Sequence, residues 1–233
     1  QNHAGVVVCI EDDSRVVLPP AYEIKMQKLY DVILADPPWY FRNYAADDPH
    51  TINQGGRGQQ RHYVTMPESE LCQMKIPAKR NAVLFLWATW TILPQALRIM
   101  EAWGFQYRTL GFEWWKLNKR WDKAFLPMGQ YLNTYQWLES LFFMGMGYYT
   151  RANSEPCLLG VRGTMPVSVR NEKNFIIAPI REHSRKPDEQ YTKIERLYPG
   201  RNYLELFARR QRPGWQVFGN QVENSINIES KSN

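Results

Sequence analysis

A chain of 233 residues with 44% hydrophobic and 22% charged side chains can bury a real core, which excludes global disorder. The net charge of +6 is modest but clustered: nine Lys/Arg stand against five acids from Arg181 to Arg212, and four against one from Lys116 to Lys123, which favours a polyanionic partner. Three scattered cysteines and four histidines without ligand spacing form neither a disulfide framework nor a metal site; no apolar run is long enough to span a bilayer, and no signal peptide shows, so a reducing, cytoplasmic setting is expected.

The chain reads as one domain over 1–233, with an N-terminal extension at 1–28, and its start at Gln1 suggests a trimmed fragment. Within the extension "GVVVCI" has strand character, and Asp12 to Tyr22 reads as loop. "LYDVILA", Leu29 to Ala35, is a continuous apolar run of the kind expected of a strand covered on both faces. Arg42 to His62 is polar, contains Gly55, Gly56 and Gly58, and reads as a long loop. Thr65, followed by Met66, Pro67 and Glu68, marks a helix start that "ESELCQM" continues, and "AVLFLWA" is a second buried strand. In "LPQALRIMEAWG" Leu93, Ala96, Leu97, Met100 and Trp103 share a helix face that Gly104 ends. "QYRTLGFEWWK" returns as a strand, and the alternation predicts an open α/β sheet with crossover helices.

Residues 118–146 break that rhythm and read as an insertion or variable region. "EPCLLGVRG" and "NFIIAP" are further strands. "HSRKPDEQYTKIERLYPG" reads as a helix with Pro187 near its first turn, Asp188 and Glu189 complementing its positive N-terminus, Tyr191, Ile194, Leu197 and Tyr198 forming its buried stripe, and Pro199-Gly200 stopping it. "NYLELFA" and "WQVFG" close the pattern, and 223–233 is a polar tail. Trp87 and Trp90 read as core.

The stretch "ILADPPWYF" ends an apolar strand on an acid. Ligands in open α/β sheets bind beyond the carboxyl ends of strands, so the Asp36 carboxylate should face a cleft. Pro37 and Pro38 have fixed φ, donate no N–H and hold the preceding residues extended, which makes a stiff turn. The carboxylate of Asp36 and the carbonyl of Pro37 then supply two acceptors, and Trp39 a flat wall. Such a set suits an NH₂ group on a flat ring. The exocyclic amine of adenine is a poor nucleophile; accepting both its N–H bonds draws nitrogen toward tetrahedral geometry and stabilises the charge that develops on attack. A base in a duplex would first be flipped out.

With these residues the chain resembles the adenine-N6 methyltransferases of the messenger-RNA writer type, and most of all their bacterial and phage DNA-modifying members. The resemblance rests on "DPPW" (Asp36 to Trp39), "HYVTM" (His62 to Met66), "LFLWATW" (Leu84 to Trp90), "TRANSEPCLLGVRG" (Thr150 to Gly163), "REHSRKPDEQYTKIERLYPG" (Arg181 to Gly200), "YLELFAR" (Tyr203 to Arg209) and "GWQVFGNQV" (Gly214 to Val222), in the family's order. It implies a Rossmann-like sheet that binds S-adenosylmethionine, in a permuted order with the catalytic motif before the cofactor strands. No G-x-G-x-x-G is present, so the cofactor is implied by the resemblance alone.

The resemblance further implies that Asp36 and Pro37 receive the target amine, with Pro38 and Trp39 completing the catalytic motif and Trp39 bordering the base. Tyr63 would lie near the adenine. Ser184, Arg185 and Lys186 match a mobile loop that closes over target and cofactor, with Lys186 on the methionine carboxylate or a phosphate. Asp36, Lys186, Glu205, Arg209, Asn220 and Gln221 would face the cofactor, the last three near its ribose. Gln211 and Arg212 stand where the writer has a His-Asn pair, so those contacts do not carry over. The partner implied is nucleic acid, DNA in preference to RNA, although one site would serve either. The alternative of a non-catalytic scaffold subunit sits badly with an intact acid-Pro-Pro-aromatic motif. Oligomeric state, a homodimer included, is left open.

Overall fold

The computed structural model describes residues 28–40, 65–123, 134–145, 147, 149–182 and 184–228. The expected N-terminal strand, the Arg42 to His62 loop, Tyr63 and the last residues of the tail lie outside this set.

All six residues of β1 (Tyr30–Ala35) are buried, as an apolar run without alternation requires of a strand covered on both faces. α1 (Glu68–Gln73) leads to β2 (Ala78–Trp87), and α2 (Leu93–Ala102) to β3 (Gln106–Leu117). Then come α3 (Thr134–Ser140), β4 (Ser154–Arg162), β5 (Phe175–Pro179), α4 (Glu189–Leu197), β6 (Tyr203–Leu206) and β7 (Trp215–Phe218). The α2 stripe differs in one respect from expectation. Ile99 is fully buried with Ala96 and Met100, while Leu93 and Leu97 sit at its margin. Gly104, at φ +81°, takes the left-handed conformation that stops this helix. In the 118–146 region, the Asn118 amide donates to the carbonyls of Ser140 and Phe142 at 3.1 and 3.2 Å and so holds the end of α3 against β3.

The strands form one sheet in the order β5-β3-β4-β2-β1-β6-β7. β2, β1, β6 and β7 run parallel; β4 is antiparallel to both β2 and β3, and β5 runs parallel to β3. Side chains alternate across the sheet. Ile33, Ala35, Leu84 and Leu86 pack toward Leu71 of α1 and Ile99 of α2, whereas Val32, Leu34, Phe85 and Trp87 pack toward Tyr191 and Ile194 of α4. The result is a mixed α/β sheet with helices on both faces.

The connection from β1 leads to β2 on one side, and that from β6 leads to β7 on the other. The connections therefore part beyond the paired carboxyl ends of β1 and β6 and leave a crevice there, the usual ligand position in such sheets.

Candidate active site

A pocket of about 670 Å³ opens at this crevice. Its lining comes from three strand exits: Asp36, Pro37 and Pro38 after β1, Phe207 and Arg209 after β6, and Phe218, Gly219, Asn220 and Gln221 after β7. Glu70, Gln73 and Met74 of α1 and its end, together with Ser184, contribute further wall.

Local backbone explains this convergence. The Trp39 N–H donates to the Pro37 carbonyl at 2.8 Å, closing a three-residue turn, and the Met66 N–H donates to the Pro38 carbonyl at 2.8 Å. Two prolines cannot donate, so their carbonyls anchor the turn from outside. The Pro37 carbonyl keeps one lone pair beyond its bond to Trp39. At Gly219 an added Cβ would overlap the Ala208 carbonyl oxygen. Glycine is thus what lets the β6 and β7 exits close together, and its N–H donates to the Asn224 side chain at 2.7 Å. Ser184 and Phe207, at φ +60° and +62°, are the non-glycine residues of positive φ among those described, and both line the pocket. Such backbone costs roughly 1–3 kcal/mol per residue and is concentrated at functional sites.

The charged groups form a chain of alternating sign. Lys186, only 8% exposed, lies 2.8 and 2.9 Å from the two Asp36 carboxylate oxygens. The same ammonium is 3.4 Å from Glu155, which Lys116 meets from the other side at 2.9 Å. Burial pushes the Asp36 carboxyl above its ordinary range, aided by the Glu155 charge and opposed by Lys186. Burial also pushes Glu155 up, but the two lysines outweigh it and hold that carboxyl below its ordinary range. The ammonium of Lys186 also sits over the Trp87 ring at 5.7 Å.

On β6 the Tyr191 hydroxyl donates to the Glu205 carboxylate, 3.0 Å from each oxygen. Burial is the main reason the Glu205 carboxyl rises to about 7. Glu205, Asp36, Lys186 and Arg209 together line a small recess beside the main pocket.

Of the residues singled out from the sequence, Asp36, Pro37, Pro38, Ser184, Arg209, Asn220 and Gln221 line the large pocket, and Arg185, Lys186 and Glu205 line the recess. Trp39 lies elsewhere. It is 6% exposed, belongs to the core, and its indole N–H donates to the Trp87 carbonyl at 3.0 Å. As placed it braces the turn from behind, since it is buried and lines neither the pocket nor the recess. Tyr63 is outside the described residues. Trp87 is core, as read, whereas Trp90 is 47% exposed and its indole N–H reaches the Ser154 hydroxyl at 3.4 Å. The sequence alone assigned no role to Glu155, Phe207 and Gly219, and it counted Lys116 in a basic cluster although its ammonium is paired with Glu155. Glu155 had a signal, an acid opening the apolar strand "EPCLL"; Phe207 had none, since nothing in its side chain announces a positive φ.

The donor set suits a zwitterionic nucleoside-like ligand. Asp36 matches an ammonium, Lys186 and Arg209 a carboxylate, the amides of Asn220 and Gln221 hydroxyls, and Phe207, Phe218 and Ile228 a flat apolar ring. Among the described residues no cluster of His, Cys, Asp and Glu could hold a metal ion, and no helix is long and apolar enough to cross a membrane.

Comparison with known proteins gives the same direction. The profile of the MT-A70 family matches residues 30–221. A putative N(6)-adenosine-methyltransferase MT-A70-like protein of Medicago truncatula is 30% identical over 197 residues, covering 83% of this chain and 26% of that protein. The human N(6)-adenosine-methyltransferase catalytic subunit METTL3 is 29% identical over 200 residues, covering 83% of this chain and 28% of METTL3. The Type II methyltransferase M.MunI of Mycoplasma sp is 27% identical over 219 residues, covering 88% of this chain and 83% of the enzyme. The chain thus spans about a quarter of the length of the plant relative and most of the length of the Mycoplasma one.

Proposed function

The chain belongs to the MT-A70 family, and from that premise we propose that it transfers a methyl group from S-adenosylmethionine to the exocyclic N6 amine of adenine in nucleic acid, with DNA the preferred substrate. The observation that carries this reading is Asp36: a carboxylate raised above its ordinary range, fixed by two prolines, at the mouth of a pocket where two strand exits diverge.

When bound, S-adenosylmethionine supplies an electrophilic methyl group. Lys186 and Arg209 would hold its carboxylate, Asn220 and Gln221 its ribose, and Phe207 and Phe218 its ring, with Glu205 beneath. Asp36 accepts hydrogen bonds from the target amine, helped by the remaining lone pair of the Pro37 carbonyl. A carboxylate of raised basicity is a stronger acceptor, and it favours the positive charge that nitrogen gains on attack. Lys186 limits this effect while it sits on Asp36. It can share its charge with an incoming carboxylate and with Glu155, and so release part of Asp36 for the amine. Sharing of this kind suits an ammonium, a compact charge with three donors. Arg185 and Ser184 would border the target nucleotide.

DNA is favoured over RNA because the likeness to the Type II methyltransferase runs through nearly all of that protein, whereas the likeness to the N(6)-adenosine-methyltransferases covers about a quarter of theirs. The second reading, an RNA substrate, draws on the names of those same relatives. Incubation with methyl-labelled donor and matched DNA and RNA oligonucleotides tests both. N6-methyladenine is expected in DNA. Label confined to RNA exchanges the substrate, label on cytosine overturns the base assignment, and no label on either overturns the enzymatic reading.

A further inference from the structure

Asp188 occupies the N-cap position of α4, and Asp is among the best capping residues, yet its side chain makes no capping bond. Its carboxylate is turned outward to three guanidinium groups. Arg181 donates to Oδ2 at 2.7 Å, Arg185 to the same oxygen at 3.3 Å, and Arg210 to Oδ1. The three arginines come from different places. Arg181 and Arg185 lie at the start and near the end of the segment joining β5 to α4, while Arg210 lies beyond β6, next to the pocket residue Arg209.

That segment, residues 181–187, holds the site together. Ser184 lines the pocket at positive φ, and Lys186 is buried on Asp36. A second guanidinium nitrogen of Arg181 donates to the Lys186 carbonyl at 3.0 Å, and Arg185 also pairs with Glu182 at 3.0 Å. A loop of positive φ with a buried ammonium does not keep its shape by local propensity; something outside must over-determine it. Asp188 is the group in which the contacts from both ends of the segment and from the β6 exit meet.

We propose that Asp188 is a positioning residue: it gives up capping α4 in order to fasten the 181–187 segment to the β6 exit, and thereby sets Lys186 and Ser184 over Asp36. This rests on the donor-binding pocket of the proposed function. Arg210 is the contact that joins the segment to the opposite wall, so the pair Asp188–Arg210 acts as the fastener. Charge-assisted bonds with a partly exposed carboxylate are well suited to the purpose, because they can open and close without unfolding a helix.

The test compares Asp188→Asn, Asp188→Glu, Arg210→Gln and the double variant Asp188→Asn/Arg210→Gln in the full chain. Three readouts are used: S-adenosylmethionine binding by equilibrium dialysis, the KM-against-kcat split for that donor, and backbone amide exchange. Asp188→Asn should weaken donor binding and raise its KM about ten-fold, the size of one lost charge-assisted bond, while kcat changes less. Exchange should quicken within residues 181–187 and stay unchanged in β1 and β2. Arg210→Gln, on the exposed side, should act in the same direction, the double variant should be little worse than Asp188→Asn alone, and Asp188→Glu should restore most of the loss. Unchanged exchange at 181–187 in Asp188→Asn overturns the proposal. So do strictly additive effects, or a donor defect that only tracks global unfolding. Should the wild-type chain fail to bind S-adenosylmethionine, the proposed function fails, and the exchange pattern with its coupling to Arg210 still decides the fastening.

Discussion

The two ends of β1 each carry an aspartate, and they are treated in opposite ways. At the amino end Asp31 is 7% exposed and fully occupied: Lys79 meets both oxygens at 3.1 Å, and the Asn202 N–H donates to it at 3.0 Å. These contacts tie β1 to the starts of β2 and β6. At the carboxyl end the Asp36 side chain is 25% exposed toward a pocket, and the cation that meets it is shared with a second carboxylate, Glu155. Asp31 is a buried charge satisfied within the sheet. Asp36 is a partly exposed charge whose desolvation outweighs its partner, so its carboxyl stays raised. Perturbed carboxylates of the second kind mark sites, and satisfied ones of the first kind mark joints.

Exchange of roles would break this comparison, and the largest effect is expected at Asp36. Asp36→Ala should lower methyl transfer by about a thousand-fold, as removal of a transition-state contact does, with donor binding largely retained and thermal stability lowered only modestly, since the buried Lys186 keeps Glu155 as a partner. Loss of stability in place of turnover would make Asp36 a joint. Asp31→Ala should do the reverse. Removing Asp31 leaves the Asn202 N–H without its partner while Lys79, 41% exposed, turns to solvent, for a loss of about 1–2 kcal/mol in urea unfolding, with turnover per folded molecule intact.

Glu205 sharpens the comparison with a smaller effect, because it is a raised carboxyl inside the sheet. Its folded pKa of about 7 lies above the ordinary 4.5, so the stability it contributes is complete below 4.5 and is lost as pH rises through 7. Unfolding free energy of the wild type should therefore fall between pH 5 and 8, by on the order of 1–3 kcal/mol, and Glu205→Gln should flatten that fall. A variant with the wild-type slope would assign the pH dependence to Asp36 or to other groups.

Legibility in the sequence followed the range of the forces involved. The strands β1 and β2 were legible because a strand covered on both faces needs an apolar run, β7 because its apolar and polar residues alternate, and helices α2 and α4 because an amphipathic stripe and its terminating glycine are local. Asp36 was legible because a charge at the end of such a run conflicts with burial. Asp31 sits inside the same run and passed as part of it, since nothing near it in the chain announces Lys79 or Asn202. The partner of Trp39 was hidden for the same reason: its indole N–H donates to the Trp87 carbonyl, 48 residues away. Asp188 looked like an ordinary helix-start acid, yet its partners lie 3, 7 and 22 residues away.

Sequence alone determined the alternation of strands and helices, the stiff acid-Pro-Pro turn, and the family to which those motifs point. Period, propensity and fixed φ are properties of neighbouring residues and need no fold to act. The tertiary structure decided the strand order that sends the connections after β1 and β6 to opposite sides, the antiparallel run of β4 that brings Glu155 to Lys186, and which carboxylate is satisfied and which is left raised. A charge in a folded chain is set by desolvation and by partners far away in sequence, and those exist only once the sheet has closed around them.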